Sequence, residues 1–426
     1  MAGDWAQSTL GSICSFQAGD AFGKEYQGRP HGDHPFIKVS DMNLPGNELF
    51  IRRANHWISA QEGLAKYRLH PVGAVVFAKI GVALTSNRRR QLVRPTAIDN
   101  NMMSAAIRHE GVDSRWLYYL LCTLDFNEIS SGSALPYLTV GDLSRIPTLL
   151  PGISEQKSIA SILGALDDKI DLNRRMNETL ETMARALFKD WLVDFGPTRA
   201  KMEGREPYLA PNLWTLFPDR LDDEGKPEGW ILGALSDVAE SPSRGVNPSD
   251  VAEETPYIGL EHMPRRSIAL SEWEGAGKVS SNKSAFKKGE FLFGKLRPYF
   301  HKVGVAPLDG ICSTDIVVVS PRIPEWGAFT LACLSSDEFV AYTDQTSTGT
   351  KMPRTSWNTM GRYEVCLPPE SVALAFQNIV QSMLDRISAN IHESRTLAQT
   401  RDLLLPKLMS GEIQVREAER MVEEVV

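Results

Sequence analysis

Apolar residues recur at helical spacing along a proline-free stretch from Ile153 to Trp191. Steps of three, four or multiples of about 3.5 residues place them on one stripe of a single long helix. Because proline cannot continue the hydrogen-bond ladder, Gly196 and Pro197 are predicted to end this helix. A helix of this length with one apolar stripe requires a partner of similar length. The stripe consists of Ile159, Ile162, Leu166, Ile170, Met176, Leu180, Met183, Leu187 and Trp191.

A second stretch from Ser371 to Ser410 repeats this pattern and ends before Gly411, a residue type common just after a helix. Two matched amphipathic helices most simply pair as an antiparallel coiled coil. The alternative is that each is a core helix of its own domain, but core helices usually end before about 20 residues. The second stripe consists of Phe376, Val380, Met383, Ile387, Ile391, Leu397, Leu404 and Leu408.

Segments of the first half of the chain recur in the second half at an offset of about 213 to 225 residues. Each half is therefore predicted to be a mixed α/β module of about 140 residues followed by one long helix. This is an α+β fold with an internal pseudo-twofold repeat. The matching pairs are WAQSTLGSIC with WILGALSDVA, PFIKVSDM with PYIGLEHM, VGAVVFAKIG with KGEFLFGKLR, GSALPYLTV with GTKMPRTSW, and TLLPGISEQ with CLPPESVALAFQ.

The repeat predicts the order of domains along the chain. Short apolar runs such as Ala74–Phe77, Phe291–Phe293 and Ile316–Val319 are typical of strands, and Trp116–Leu124 and Trp326–Leu334 of short helices. The predicted divisions are an N-terminal module (1–150), a first long helix (151–196), a proline- and glycine-rich linker (197–229), a C-terminal module (230–368), a second long helix (369–411) and a charged tail (412–426).

Composition narrows the class of protein. The 426 residues are 42% apolar and 23% charged, as in soluble globular proteins. No run of 18 apolar residues is present, and the N-terminus lacks the pattern of a signal peptide, so a cytoplasmic protein is expected. The five cysteines are scattered without a CxxC pair, which favours buried thiols in a reducing compartment over zinc ligands or disulfides.

The net charge of −7 argues mildly against a nucleic-acid partner, but the local charge distribution argues for one. No acidic residue lies between Glu62 and Asp99, and Glu290 is the only one between Glu274 and Asp309. The first basic island contains Lys66, Arg68, Lys79, Arg88, Arg89, Arg90 and Arg94, and the second contains Lys278, Lys283, Lys287, Lys288, Lys295, Arg297 and Lys302. Two basic modules on a fixed spacer fit DNA with two separated half-sites.

Candidate DNA-binding residues lie in these islands, where cations suited to phosphate alternate with side chains that can hydrogen-bond base edges. The segments Gly132–Tyr137 and Gly349–Arg354 are candidates for a second loop at the same face. Alternatively, the cations form a solvated face, and each Gly/Pro pair only fixes a turn before the last strand. The candidates are Lys79, Thr85, Ser86, Asn87, Arg88, Arg89, Arg90, Lys295, Arg297, Tyr299, Lys302, Lys351 and Arg354.

Enzyme signatures are absent from the sequence. GAGKVS lacks the upstream glycine of a phosphate-binding loop, because position 272 is Glu272. Asp219, Glu224 and Lys226 resemble a nuclease trio, but they lie within the linker rather than on paired strands. No Asn-Pro-Pro-aromatic motif for adenine methylation is present. The chain is expected to be non-catalytic, with no metal or cofactor of its own.

The run EQKSIASILGALDDKIDLNRRMNETLETMARALFKDWLVDFGP resembles the central helical region of type I restriction-modification specificity subunits. GTKMPRTSWNTMGRYEVCLPP and PKLMSGEI are similar to the end of that family's C-terminal module, and PEGW to the phrase that opens its target recognition domains. The sequence departs from the family where Gly152 follows Pro151 and where the second helix begins with Ala375-Phe376-Gln377.

The resemblance implies a non-catalytic subunit of a bacterial or archaeal complex. Each target recognition domain would read one half of a bipartite double-stranded DNA site, and the helices would set the gap between the halves. Two methyltransferase subunits, which bring S-adenosylmethionine, would dock against the chain. Two motor-nuclease subunits would bring ATP and magnesium. None of these cofactors is expected on this chain.

The exposed faces of the long helices are the predicted partner surface, with Arg185, Phe188, Lys189 and Trp191 as candidates. Phe188 and Trp191 could instead belong to the seam between the helices. A different class of function is a coiled-coil scaffold that bridges proteins without binding DNA, which would explain the acidic charge and the long helices but not the basic islands. A degenerate nuclease or a methyltransferase fragment is the third alternative.

Overall fold

The computed structural model describes residues 5–63, 65–132, 135–349 and 351–423. The chain divides into two compact units, one formed by Met1–Leu172 with Ser394–Val426 and the other by Asn173–Glu393. Each unit contains one mixed α/β module and part of each long helix. Among the described residues, no helix has the length and apolar character needed to cross a membrane.

The first module contains three sheets, with strand orders β2-β9-β6-β7-β4, β5-β3-β8 and β1-β10. Its strands are β1 (Ala6–Thr9), β2 (Cys14–Ala18), β3 (His34–Ile37), β4 (Phe50–Ile51), β5 (His56–Ile58), β6 (Val75–Ala78), β7 (Arg89–Leu92), β8 (Ala97–Ile98), β9 (Met102–Ile107) and β10 (Pro147–Leu150). All four residues of β6 are buried, which explains its continuous apolar run.

The second module also contains three sheets, with orders β12-β20-β17-β18, β13-β16-β19-β14-β15 and β11-β21. Its strands are β11 (Ile231–Ala234), β12 (Ala239–Glu240), β13 (Gly245–Val246), β14 (Pro256–Ile258), β15 (Glu274–Gly275), β16 (Lys283–Phe286), β17 (Phe291–Gly294), β18 (Val303–Val305), β19 (Gly310–Cys312), β20 (Ile316–Pro321) and β21 (Glu364–Leu367).

The strand pairing confirms the predicted repeat. β6 lies between antiparallel neighbours β9 and β7, and β17 lies in the same way between β20 and β18. Phe77 pairs with Arg89 in the first module, and Phe293 pairs with Val303 in the second. β3 and β14 are parallel to β8 and β19, respectively. The two modules therefore share the order and direction of these strands.

Short helices and two long ones complete the fold. The α-helices are α1 (Leu10–Ile13), α2 (Ala60–Gly63), α3 (Val82–Thr85), α4 (Ser114–Cys122), α5 (Phe126–Ile129), α6 (Val140–Ser144), α7 (Ile153–Phe188), α8 (Gly196–Met202), α9 (Pro211–Trp214), α10 (Leu235–Val238), α11 (Gly327–Leu334), α12 (Asp337–Gln345), α13 (Trp357–Met360), α14 (Glu370–Ser410) and α15 (Val415–Glu423). Single 3-10 turns lie at Lys24–Tyr26, Val39–Asn43, Pro248–Asp250, Leu260–His262, Ala276–Lys278, Pro298–Phe300 and Pro324–Trp326.

In the first unit, the apolar stripes of α7 and α14 share one core. Ile159 and Leu166 of α7 are buried in the same cluster as Leu404 of α14. At the edge of this seam, Arg401 donates to the carboxylate of Asp167 at 2.7 Å. The core holds the two helices together through apolar burial, and the ion pair fixes their register.

In the second unit, side-chain amides donate hydrogen bonds across the seam. Asn390 donates to the side-chain oxygen of Asn177 at 2.8 Å, and Asn173 donates to Glu393 at 2.7 Å. From Asn173 to Asn177 the residue numbers rise along α7, while those of the bonded partners fall from Glu393 to Asn390 along α14. This pairing confirms the predicted antiparallel arrangement of the two helices.

The end of the first long helix differs from the prediction. The α-helix ends at Phe188, continues as a π turn over Lys189–Val193, and is followed by Phe195 in a left-handed conformation with φ of 55°. Pro197 lies in the first turn of α8, where the missing N–H removes no helix hydrogen bond. Pro197 therefore opens the next helix instead of ending the first one.

The predicted charged tail contains a helix, although residues 424–426 lie outside the described part of the chain. Ala418 of α15 is fully buried, and Val415 and Met421 pack against the core of the first unit. Charged residues occupy the other face, so α15 is amphipathic and is held by its apolar side.

Candidate nucleic-acid interface

Equivalent strands build the same loop in both modules. The first loop, residues 79–88, joins β6 to β7, and the second loop, residues 295–302, joins β17 to β18. The backbone N–H of Lys79 donates to the carbonyl of Asn101 at 2.9 Å, and that of Lys295 donates to the carbonyl of Asp315 at 2.9 Å. The two loops therefore leave their sheets in the same way.

A hairpin follows the same pattern in each module. The first hairpin, Ser131–Tyr137, and the second hairpin, Thr348–Arg354, are each closed by backbone hydrogen bonds between their two end residues. Residues 133, 134 and 350 within these hairpins lie outside the described residues. Gly132 and Gly349 have φ of 89° and 98°, a conformation that favours glycine. These glycines allow both hairpins to turn tightly.

Each hairpin packs against the loop of its own module. The N–H of Gly81 donates to the carbonyl of Pro136 at 2.8 Å, and the N–H of Arg297 donates to the carbonyl of Pro353 at 2.8 Å. Loop and hairpin therefore form one continuous structure, as the sequence analysis expected for two loops at the same face. The alternative that each Gly/Pro pair fixes a turn is also consistent with these bonds.

The first loop exposes two hydroxyl side chains and one cation. The Thr85 hydroxyl donates to the carbonyl of Val82 at 2.8 Å, and the Ser86 hydroxyl donates to that of Ala83 at 2.7 Å. Both hydroxyl oxygens keep lone pairs that can accept a further hydrogen bond. Arg88 lies next to them and is exposed. These three predicted residues are accessible to a duplex.

The structure corrects the prediction for Arg89, which is only 3% exposed. Its guanidinium donates to the carbonyls of Asn87 and Leu124 and lies 3.8 Å from the ring centroid of Phe126. Burial lowers its pKa. Arg90 is half-buried and also donates to backbone carbonyls. Arg89 therefore holds the module together from inside and cannot reach a phosphate.

Asn87 is also directed toward the interior of the module. Its side chain bonds to Asp125 and to the backbone N–H of Phe126. Lys79 is half-buried at the start of the loop. Of the five candidates in the first loop, Thr85, Ser86 and Arg88 are therefore the exposed ones.

The second loop exposes an aromatic ring among its cations. Tyr299 is half exposed and packs edge-on against Phe300, with ring centroids 4.8 Å apart. The guanidinium of Arg297 lies 5.9 Å from the Phe300 centroid. The ammonium of Lys302 donates to the carbonyl of Leu260, and burial lowers the pKa of this lysine. Tyr299 is the most accessible of the four candidates in this loop.

The second hairpin adds two exposed cations. Lys351 and Arg354 are both exposed, whereas Lys295 at the start of the second loop is half-buried. The guanidinium of Arg354 is 3.2 Å from the carboxylate of Asp315, so part of its charge is compensated. The second loop and hairpin therefore present more exposed positive charge than their counterparts in the first module.

Arg185 and Lys189, two partner candidates near the end of α7, have partners within the second unit. Arg185 donates to Glu181 and to the carbonyl of Arg266, both at 2.9 Å. Lys189 is exposed and bonds to Asp194. Arg185 therefore fastens a segment of the module to the helix, and Lys189 is the more accessible of the two.

Trp191 is not at the surface, which corrects the prediction for it as a partner contact. It is 1% exposed and lies 5.1 Å from Phe217 and 6.3 Å from Phe376, between ring centroids. Phe188 is half-buried and lies 6.1 Å from Phe376 of α14. The alternative that these two aromatic residues belong to the seam is therefore the one that the packing supports.

A groove of about 230 Å³ remains open beside Phe188. It lies at the end of α7, where the π turn interrupts the regular helix, and Val193 at its edge is 46% exposed. Its apolar lining comes from Phe188, Leu192, Val193, Phe195, Phe329, Cys333, Tyr363, Val365 and Cys366. The groove gives this end of the helix an accessible apolar surface.

Comparisons with known proteins agree with this architecture. The family model described as "Type I restriction modification DNA specificity domain" matches residues 2–182. The type I restriction enzyme MjaIX specificity subunit of Methanocaldococcus jannaschii is 27% identical over 421 residues, which covers 92% of this chain and 89% of that protein. The HindI specificity subunit of Haemophilus influenzae is 26% identical, covering 67% of this chain and 72% of that one.

The chain is therefore similar in sequence to type I restriction-modification specificity subunits. The crystal structure of the S subunit from M. genitalium has the same fold, with a TM-score of 0.55 and 14% sequence identity. The superposition covers 95% of this chain and 96% of that one. The two-module fold inferred from the repeat is therefore shared with that S subunit.

Arg265 and Arg266 are not among the residues predicted from the sequence, and both are exposed beside the second loop. The guanidinium of Arg265 lies 4.1 Å from the Phe300 centroid, and the backbone N–H of Arg266 donates to the carbonyl of His301 at 2.9 Å. Two consecutive arginines were a visible signal. Their position next to a loop thirty residues later depends on tertiary packing, which the pattern did not include.

Proposed function

We propose that this chain is a specificity subunit that reads a bipartite double-stranded DNA site, with one module for each half-site, and that it performs no chemistry itself. The observation that carries this proposal is the repeated loop and hairpin, whose backbone hydrogen bonds are the same in both modules while the exposed side chains differ. A constant frame with variable side chains suits two modules that read different sequences on the same backbone.

The exposed side chains of each module fall into residues that contact bases and residues that contact phosphate. In the first, Thr85 and Ser86 can bond base edges while Arg88 contacts phosphate. In the second, Lys351 and Arg354 contact phosphate, and Tyr299 packs against the sugar or base surface. Phosphate contacts set the register and make binding dependent on salt, and base contacts supply the sequence preference.

Selection from a pool of random duplexes, with the methyltransferase partner present and absent, tests the proposal. Enrichment of a motif with two defined halves and a fixed gap is expected. A single uninterrupted motif would contradict two reading modules. No enrichment and no retention of DNA would favour the protein-bridging scaffold instead. A matched selection with Lys351 and Arg354 both changed to alanine should enrich more weakly at the same salt concentration.

The second half of the proposal concerns the partners. Two methyltransferase subunits dock on the chain and bring S-adenosylmethionine, and two motor-nuclease subunits bring ATP and magnesium. The apolar groove beside Phe188, with exposed Val193 at its edge, supports docking near the end of α7. Exposed apolar surface of this kind is typical of protein contacts.

Val193→Asp tests the docking surface, because a charge in an apolar contact is costly. Co-purification with the methyltransferase should fall strongly. Met202→Asp is the matched control, since Met202 is 53% exposed on α8 and does not line the groove. Equal co-purification of the two variants would place the methyltransferase elsewhere.

The two long helices set the gap between the half-sites in this proposal. A helix rises ~1.5 Å per residue and DNA ~3.4 Å per base pair, so shortening both helices by about two turns should shorten the preferred gap by about three base pairs. The gap is read from the selected motif. An unchanged gap in a shortened, folded chain would remove the role of the helices as a spacer.

A further inference from the structure

The last turn of each loop contains a residue in the same unusual backbone conformation. Asn87 has φ of 57° and His301 has φ of 51°. Each lies two positions before the strand residue that pairs with the central phenylalanine, Arg89 opposite Phe77 in one module and Val303 opposite Phe293 in the other. Asn87 and His301 are therefore structurally equivalent, although their side chains differ.

Asn87 joins the first loop to the segment that follows α4. Its side-chain oxygen accepts from the backbone N–H of Phe126 at 3.0 Å, and its side-chain NH₂ donates to Asp125 at 3.1 Å. Its backbone carbonyl accepts from the guanidinium of Arg89. The side chain of Asn127 reaches back to the carbonyl of Thr85 at 3.4 Å. The end of the first loop is thereby fixed from three directions.

His301 makes the equivalent connection in the second module with a different side chain. It is 6% exposed, and its Nε2 lies 2.9 Å from the carbonyl of Ser335 after α11. A carbonyl can only accept, so Nε2 carries the hydrogen. The His301 carbonyl accepts from the N–H of Arg266 at 2.9 Å, and Arg266 pairs with Asp337 at 2.8 Å. The second loop is thus also held against the segment that follows α11.

A left-handed conformation is unfavourable for most residues other than glycine, so it persists where the surroundings fix it. The side-chain bonds of Asn87 and His301 supply that fixation. Arg88 follows Asn87 and Lys302 follows His301, so the backbone conformation of this turn sets the direction of both residues. A change in φ at either residue would redirect the exposed side chains of that loop while leaving the other module untouched.

We propose that Asn87 and His301 are positioning residues that hold the first and second loops in the conformation that reads DNA, each setting sequence discrimination at one half-site only. This inference rests on the proposed function. Neither residue needs to contact DNA, and both act through the exposed residues around them.

The test compares Asn87→Gly with His301→Gly in the full chain with its methyltransferase partner. Glycine keeps access to positive φ but removes the side-chain hydrogen bonds, so the variants test the effect of these bonds alone. For each variant, affinity is measured for the selected duplex, for duplexes with one mismatched base in either half-site, and for an unrelated duplex. Thermal unfolding is followed in parallel.

Asn87→Gly should lower discrimination about tenfold at one half-site, the loss expected when one good base contact is misplaced. Discrimination at the other half-site and affinity for the unrelated duplex should stay unchanged. His301→Gly should give the reciprocal pattern. A purely structural role would lower the unfolding temperature without this division between half-sites.

Full discrimination in a folded Asn87→Gly variant, or an equal loss at both half-sites, would overturn the inference. If that variant does not fold, Asp125→Ala removes one of the two side-chain bonds and must still affect the same half-site alone. A wild-type complex without discrimination at either half-site would refute the proposed function itself, before any variant is compared.

Discussion

The first and second loops share a backbone frame and differ in almost every exposed side chain. In both, a lysine begins the loop, a hairpin proline accepts a backbone hydrogen bond, and a left-handed residue ends the turn. The first loop then exposes Thr85, Ser86 and a single arginine, whereas the second region exposes Tyr299 with several cations. The shared backbone bonds therefore hold each loop in place, and the exposed side chains are the part that differs between the two half-sites in the proposed function.

The interiors behind the loops also differ at equivalent positions. Arg89 is buried opposite Phe77, where Val303 lies opposite Phe293. His70 is buried opposite Thr96, where Phe286 lies opposite Gly310. The first module therefore uses polar groups at two positions that are apolar in the second, and these differences can be tested directly.

The largest effect is expected from Arg89→Val, which gives the first module the residue of the second. The carbonyls of Asn87 and Leu124 would lose their charged donor, so the free energy of unfolding of the first unit should fall by about 3–5 kcal/mol. Hydrogen exchange of the β6 amides measures this. Arg88→Ala, at an exposed position, should change it by less than about 0.5 kcal/mol. Similar protection in both variants would contradict the structural role of Arg89.

The second effect depends on pH and concerns His70. Burial lowers its pKa from 6.5 to about 4, so the folded state resists protonation while the unfolded state does not. Stability present above pH 6.5 is therefore lost as the pH falls toward 4, by up to about 3 kcal/mol. The unfolding free energy of the wild type is compared with that of His70→Phe across this range.

His70→Phe should remove this part of the pH dependence, because Phe286 fills the equivalent position without a titrating group. The residual slope then reports the other groups, including His301, whose pKa burial also lowers. Parallel pH profiles for wild type and variant would show that His70 is protonated equally in the folded and unfolded chains.

The third prediction tests the difference in exposed positive charge between the two modules. Each phosphate contact contributes about 0.9 to the slope of log affinity against log salt concentration. Changing Lys351 and Arg354 together to alanine should therefore lower that slope by about 1.8. A salt titration of binding to the selected duplex gives the value. If the slope does not change, the second hairpin does not face the phosphates.

The smallest effect is expected from Arg88→Ala, which should lower the same slope by about 0.9. The basic run predicts three consecutive arginines as DNA contacts, but Arg88 is the exposed one of the three. A decrease close to that of the double hairpin variant would mean that the first loop makes more phosphate contacts than its exposed charge explains.

The sequence predicted the fold well because the long helices and the repeated strands both leave regular patterns in the sequence. The stripes of α7 and α14 have helical spacing over many turns, and repeated phrases such as PFIKVSDM and PYIGLEHM align equivalent strands. The end of α7 was less predictable. Gly196 and Pro197 are a stop signal for one helix and a start signal for another, and only packing around Trp191 distinguishes the two.

The candidate site was predicted to the level of the loop but not of the side chain. The basic islands contain the two equivalent connections between strands, residues 79–88 and 295–302. The boundary between loop and strand falls between Arg88 and Arg89, and from there alternate residues of β7 point to opposite faces. A run of identical residues contains no signal for that boundary. Arg265 was missed because its contact with Phe300 joins segments that are distant in the chain.

The most direct test of two reading modules is the map of methylated adenines in cells that carry this chain with its methyltransferase. The map is determined by single-molecule sequencing for the wild type and for a chain with Thr85, Ser86 and Arg88 replaced by alanine. The account predicts a bipartite motif in which the variant alters one half and leaves the other half and the gap unchanged. An uninterrupted motif, or changes in both halves, would contradict it.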